Sequence, residues 1–158
     1  LSLLSAARLD VAGVAVMSTP YALPPDPRMR YLKLISLFLP YMPKSKLPPG
    51  SGWFDPQAWQ EHVSYPQNPV RSIAELNKLL AEMRAALPQV KVPTLLIHSK
   101  DDTYVLPENM ERIYADLGAS DKTKVYITGS GHVVPRDAAR LQAFELALDF
   151  IRRVERSL

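Results

Sequence analysis

The 158-residue chain contains no cysteine, which excludes disulfides and any thiolate metal or redox centre. Its three histidines are dispersed at positions 62, 98 and 132, which argues against a structural zinc site. No apolar run reaches the ~18 residues needed to cross a bilayer. The first residues lack a basic stretch followed by an apolar core, so they do not read as a secretory leader, and the location is read as cytoplasmic. Charge is close to balanced, with 19 Lys and Arg against 16 Asp and Glu for a net +3. No basic cluster is present, so no nucleic-acid partner is expected. What remains is an ordinary globular composition, 47% hydrophobic and 22% charged, in a chain long enough for one modest core.

Glycine is scarce, with six in all, yet two of them flank one serine in Thr128-Gly129-Ser130-Gly131-His132. This loop follows a β-like run, Lys124–Ile127, and precedes a helical pattern. Glycine permits positive φ and close backbone approach, so the pattern places an imidazole at the rim of a sheet. A histidine there, with an unperturbed pKa near ~6.5, suits proton transfer at neutral pH. Upstream, Pro93-Thr-Leu-Leu-Ile-His98 reads as a buried strand and ends in Ser99-Lys-Asp-Asp102. In open α/β sheets, sites lie outside the carboxyl ends of the strands. A carboxylate closes one strand and a histidine the next, and the first can orient and stabilise the second.

The run from Pro93 to Asp137, PTLLIHSKDDTYVLPENMERIYADL…KVYITGSGHVVPRD, resembles the C-terminal part of an α/β-hydrolase. The similarity is to the carboxylesterase and monoacylglycerol-lipase branch. The resemblance implies an α/β fold that keeps the last three parallel strands with flanking helices. It makes Asp102 the acid and His132 the base of a Ser-Asp-His triad, with Asp101 the alternative acid. It implies no metal and no organic cofactor, and an acyl-ester substrate. The family often has glycine where Ser99 stands.

The opening fits the same resemblance. Leu1–Arg8 reads as a helix apolar on most faces, followed by a buried parallel strand over Val11–Met17. In the family such a helix follows the nucleophile turn G-x-S-x-G, a motif that occurs nowhere in these residues. The expectation is therefore a chain whose nucleophile lies outside it. It is expected to be inactive alone, and to be accompanied by a missing N-terminal half or a second copy. The alternative reading is a non-catalytic half-hydrolase acting as a binding module, or another chemistry on the same fold.

Residues 20–69 hold 11 of the 15 prolines, a density that forbids long regular elements. With Leu34, Phe38, Trp53 and Trp59 among them, they are expected to form a cap over an apolar pocket. The core is then 1–19 and 70–158. Leu34, Phe38, Trp53 and Val133 are the candidate substrate contacts. Ser72-Ile-Ala-Glu75 reads as a capping box that opens a helix over 72–87. A further helix is expected from Pro107 to Leu117, with Gly118 as its stop. In the last helix Leu141, Phe144, Leu148 and Ile151 read as the buried stripe. His98 is expected to be a hydrogen-bonded core histidine, and His62 a solvated one.

Overall fold

The structure is a computed structural model that describes residues 1–44, 48 and 50–157; positions 45–47 and 49, within the segment expected to form a cap, lie outside the described residues. Its core is a parallel sheet in the order β1-β4-β5, made by Val14–Met17, Thr94–Ser99 and Lys122–Ile127. Every residue of β4 is buried. That is the expected fate of a central parallel strand covered on both faces, and it explains why the run is apolar and β-branched without alternation. Fully burying a side chain such as Ile97, 1% exposed, contributes about 1.5–3 kcal/mol. Val14 pairs with Thr94, and Thr94 with Lys122.

Two apolar layers flank the sheet. On one side Leu3 and Leu4 of α1 (Ser2–Arg8), Leu80 and Met83 of α4 (Val70–Ala86), and Met110 and Ile113 of α5 (Glu108–Asp116) pack on Val14, Val16 and Leu96. On the other, Ala143, Phe150 and Val154 of α6 (Arg140–Glu155) pack on Leu95, Ile97 and Ile127. The result is a three-layer α/β/α arrangement. Among the described residues, no helix is long and apolar enough to cross a membrane.

Between β1 and α4 lie a 3-10 turn at Pro27–Tyr31, α2 (Leu32–Phe38), and α3 (Pro56–Gln60). An antiparallel ribbon closes this excursion, β2 (Tyr41–Pro43) on β3 (Gln67–Pro69). The proline pattern gives no sign of that ribbon, whose strands are three residues each.

Several expectations are corrected. The stripe Leu141, Phe144, Leu148 and Ile151 is exposed, and Ala143, Phe150 and Val154 face the sheet instead. The sequence carries two apolar sets at the same three-and-four spacing, and the one with the small Ala143 is the one that fits against β4. Helix α1 buries Leu3, Leu4 and Ala6 but exposes Ser2, Ser5 and Arg8, so it is covered on one side only. The capping box is not used: α4 starts at Val70 behind Pro69. Glu75 instead lies within ion-pair reach of Lys33 and Arg71. Gly118 does stand just past α5, but its φ is not positive. A Cβ there would lie 2.0 Å from the Pro88 carbonyl oxygen, so close approach of backbone excludes a side chain.

Candidate active site

The loops after β4 and β5 carry the two residues singled out by the sequence, and three bonds stitch those loops together. Lys100 N–H donates to the Ile127 carbonyl at 2.9 Å. Gly129 N–H donates to Asp101 Oδ2 at 2.8 Å. The hydroxyl of Ser99, fully buried, donates to the Ser130 carbonyl at 2.5 Å. Ser99 therefore ties the acid loop to the histidine loop. Asp101 is occupied in closing the turn, where Gly129 takes a φ of 73°.

The structure brings Asp102 and His132 together. Asp102 Oδ2 lies 2.8 Å from His132 Nδ1. Its Oδ1 accepts the backbone N–H groups of Tyr104 and Val105, each at 2.9 Å. An ionised carboxylate is acceptor-only, so it is the Nδ1–H that donates to it. The His132 side chain is 36% exposed, and among the described residues its Nε2 has no hydrogen-bond partner. The imidazole is thus fixed at one nitrogen and open at the other.

A second histidine touches the same carboxylate. His98, 1% exposed, places Nε2 2.7 Å from the Val105 carbonyl and 3.3 Å from Asp102 Oδ2. A carbonyl only accepts, so this nitrogen carries the proton. His98 is the hydrogen-bonded core histidine expected from its strand, and it also braces the acid. Burial pushes the Asp102 carboxyl up. Hydrogen bonds from His132, His98 and the Val105 N–H outweigh that, and hold it well below the usual carboxylate range.

This has a consequence for acid stability. A carboxyl whose folded pKa lies below its unfolded value near ~3.9 stabilises the fold fully above that value. The contribution fades as pH falls below it toward the folded pKa. Wild-type Tm is expected to drop more steeply than that of Asp102→Asn below about pH 4. Parallel Tm curves for the two proteins would contradict the assignment of the low-lying carboxyl.

Other sequence candidates are distributed as follows. Val133 is half-buried and adjoins His132. Trp53 is half-buried and forms a tilted pair at 4.9 Å with the ring of His62, which is itself partly exposed. Leu34 and Phe38 lie exposed on α2, which packs on α4. A cleft of about 430 Å³ lined by Leu23–Pro27, Met29 and Asn77 takes no residue from the acid or histidine loops. Among the described residues no three His, Asp or Glu side chains converge as a metal site would require.

Two features escaped the sequence reading. Ser18 ends β1 with φ 48° and a buried hydroxyl that lacks a partner among the described residues. It places backbone strain at the same carboxyl edge as the acid and histidine, where strain is commonly stored. Asp137, fully buried, accepts the Gly131 N–H at 2.6 Å. In sequence it reads only as an acidic residue ahead of a helix.

A parallel sheet whose carboxyl edge carries an Asp on one loop and an Asp-bound His on the next defines an α/β-hydrolase. The chain belongs to the Hydrolase_4 family (serine aminopeptidase, S33), whose profile matches residues 3–139. It is similar to the thermostable monoacylglycerol lipase of Bacillus sp. (strain H-257), 27% identical over 93 residues, covering 59% of this chain and 37% of that protein. It also resembles the carboxylesterase of Bacillus subtilis (strain 168), 22% identical over 99 residues, covering 63% of this chain and 40% of the relative. A solved structure for LipS and LipT, two metagenome-derived lipolytic enzymes, superposes with a TM-score of 0.79 at 26% identity. That match covers 96% of this chain and 60% of the other. A soluble variant of monoglyceride lipase from Saccharomyces cerevisiae gives 0.74 at 17% identity, covering 97% and 58%, a likeness of fold. The chain thus spans about two-fifths of the length of these curated relatives. These are lipase- and esterase-like α/β-hydrolases.

Proposed function

We propose that this chain supplies the acid and the base of a Ser-Asp-His triad in a carboxylic-ester hydrolase. The observation that carries the reading is the 2.8 Å contact of Asp102 with His132 Nδ1, which leaves Nε2 free on an exposed edge. In this reading a serine hydroxyl attacks the ester carbonyl while His132 Nε2 takes its proton. The tetrahedral intermediate collapses, and His132 returns the proton to the departing alkoxide. Water, deprotonated by the same nitrogen, then attacks the acyl-enzyme; the serine–acyl bond breaks, Nε2 returns the proton to the serine oxygen and the carboxylic acid departs. Asp102 stabilises the imidazolium in both halves. Backbone N–H groups would hold the oxyanion.

No G-x-S-x-G occurs in these residues. The nucleophile and the oxyanion donors are therefore proposed to come from outside them, on a strand seated along the open edge of β1. A second copy of the chain at that edge is the alternative. Residues 20–69 are proposed as the cap, with Leu34, Phe38, Trp53 and Val133 meeting the acyl chain. Exposed apolar side chains on α2 support this.

The similarity to a monoacylglycerol lipase and a carboxylesterase supports an ester substrate over a peptide. The full-length protein is expected to hydrolyse short- and medium-chain p-nitrophenyl esters and monoacylglycerols in strong preference to aminoacyl p-nitroanilides. Residues 1–158 alone are expected to give no saturable turnover. Preferential cleavage of the anilides would reject the ester reading, and saturable turnover by residues 1–158 would reject the external nucleophile.

A further inference from the structure

Asp137 is a buried carboxylate met by backbone alone. Its Oδ1 accepts the N–H groups of Phe54 at 2.9 Å, Asp55 at 2.7 Å and Ala138 at 2.8 Å. Its Oδ2 accepts the Gly131 N–H at 2.6 Å. Four donors thus converge on one side chain that is fully buried. Two come from the excursion between β1 and α4, one from the residue before His132, and one from the approach to α6. Among the described residues no cation pairs with it. Hydrogen bonds to an ionised acceptor are about twice as strong as neutral ones. Leaving any of these donors unpaired indoors costs more than the bond's net worth.

The neighbourhood repeats the same connection by other means. A Cβ on Gly131 would lie 1.6 Å from the Gly52 carbonyl oxygen, so the two backbones are in direct contact. Arg140 Nη1 donates to Asp55 Oδ2 at 2.8 Å and to the Asp137 carbonyl at 3.2 Å. On its other flank, Gly52 sits against the Tyr104 ring, 3.1 Å from the position of its missing Cβ. Tyr104 in turn donates its N–H to Asp102. Segment 52–55 is therefore wedged between the acid loop and the histidine loop.

We propose that Asp137 is a positioning residue that makes the seating of segment 52–55 and the placement of His132 one event. When the segment is docked, Asp137 holds Gly131, and His132 presents Nδ1 to Asp102. When it lifts, Phe54 and Asp55 leave Oδ1, and the loop bearing His132 loses the wall formed by Gly52. Opening of the cap would then disarm the base, which suits an enzyme that must admit substrate before reacting. The consequence for catalysis rests on the hydrolase reading above; the coupling itself does not.

Asparagine is the sharp probe, because its amide NH₂ cannot accept where a carboxylate oxygen did. In Asp137→Asn, amide hydrogen exchange at Phe54, Asp55 and Gly131 is expected to rise about 10–100-fold together, with the β4 amides unchanged. The His132 Nδ1–H and Cε1 resonances should shift, as the contact with Asp102 loosens. Should that variant fail to fold, Arg140→Gln removes the second tether from a partly exposed position. It is expected to speed exchange at Phe54 and Asp55 and to shift the His132 resonances in the same sense. In the full-length hydrolase kcat is expected to fall with KM little changed. Faster exchange at Phe54 and Asp55 with Gly131 exchange and the His132 resonances unmoved would overturn the coupling. Absent ester turnover in the wild type would instead overturn the hydrolase reading and leave the exchange result standing.

Discussion

His132→Ala in the full-length protein is expected to lower kcat for ester hydrolysis about 10⁴–10⁶-fold, with KM within a few-fold of wild type. In the proposed triad the imidazole engages the reacting proton in the transition state, so its loss falls on kcat. Asp102→Asn is expected to cost about 10⁴-fold, because an amide can donate to Nδ1 and favour the wrong tautomer. The double variant should be little worse than His132→Ala, since the acid acts through the base. Retention of more than about 1% of kcat by His132→Ala would mean that another group is the base.

The second large effect concerns stability. Gly129 and Gly131 are two residues apart but are glycine for different reasons. Gly129 has a φ of 73° with nothing within 4 Å of a built Cβ, whereas Gly131 has the Gly52 oxygen at 1.6 Å. Gly129→Ala is expected to cost only the left-handed conformational penalty, about 1–2 kcal/mol. Gly131→Ala must push segment 52–55 off the histidine loop, at about 3 kcal/mol or more, or a Tm loss of about 10 °C. Thermal unfolding of both variants checks the order. A Gly131→Ala protein as stable as wild type would mean that the two backbones are not in contact.

The central strand was legible because nothing but burial explains Thr-Leu-Leu-Ile-His-Ser entered through a proline. Asp102 and His132 were legible because loops at the carboxyl edge carry them, in a pattern resembling a known family. The partners of Asp137 were not. Its two donors from the excursion between β1 and α4, Phe54 and Asp55, lie 83 and 82 positions away, and no local rule connects them. The face of α6 was misread because two apolar sets share one period, and periodicity alone does not say which meets the sheet. The capping box failed for a different reason. Pro69 ends the ribbon pairing and already supplies the turn into α4, so the chain is helical before Ser72 is reached. His98 showed its burial in sequence but not its contact with Asp102, which depends on how the turn folds back.

The two pairings of the parallel sheet span very different lengths of chain. Thr94 meets Lys122 after 28 residues, but Val14 meets Thr94 only after 80, with the whole excursion between them. Loop-closure entropy grows as the logarithm of length, so the longer closure is disfavoured by about 1 kcal/mol relative to the shorter. The segment from β4 to the Gly-Ser-Gly-His loop is thus the more local of the two closures of this sheet, and it contains both Asp102 and His132. The acid–base pair can assemble along the folding path as a self-contained βαβ unit. Residues 52–55, which wall it in, belong to the slower closure.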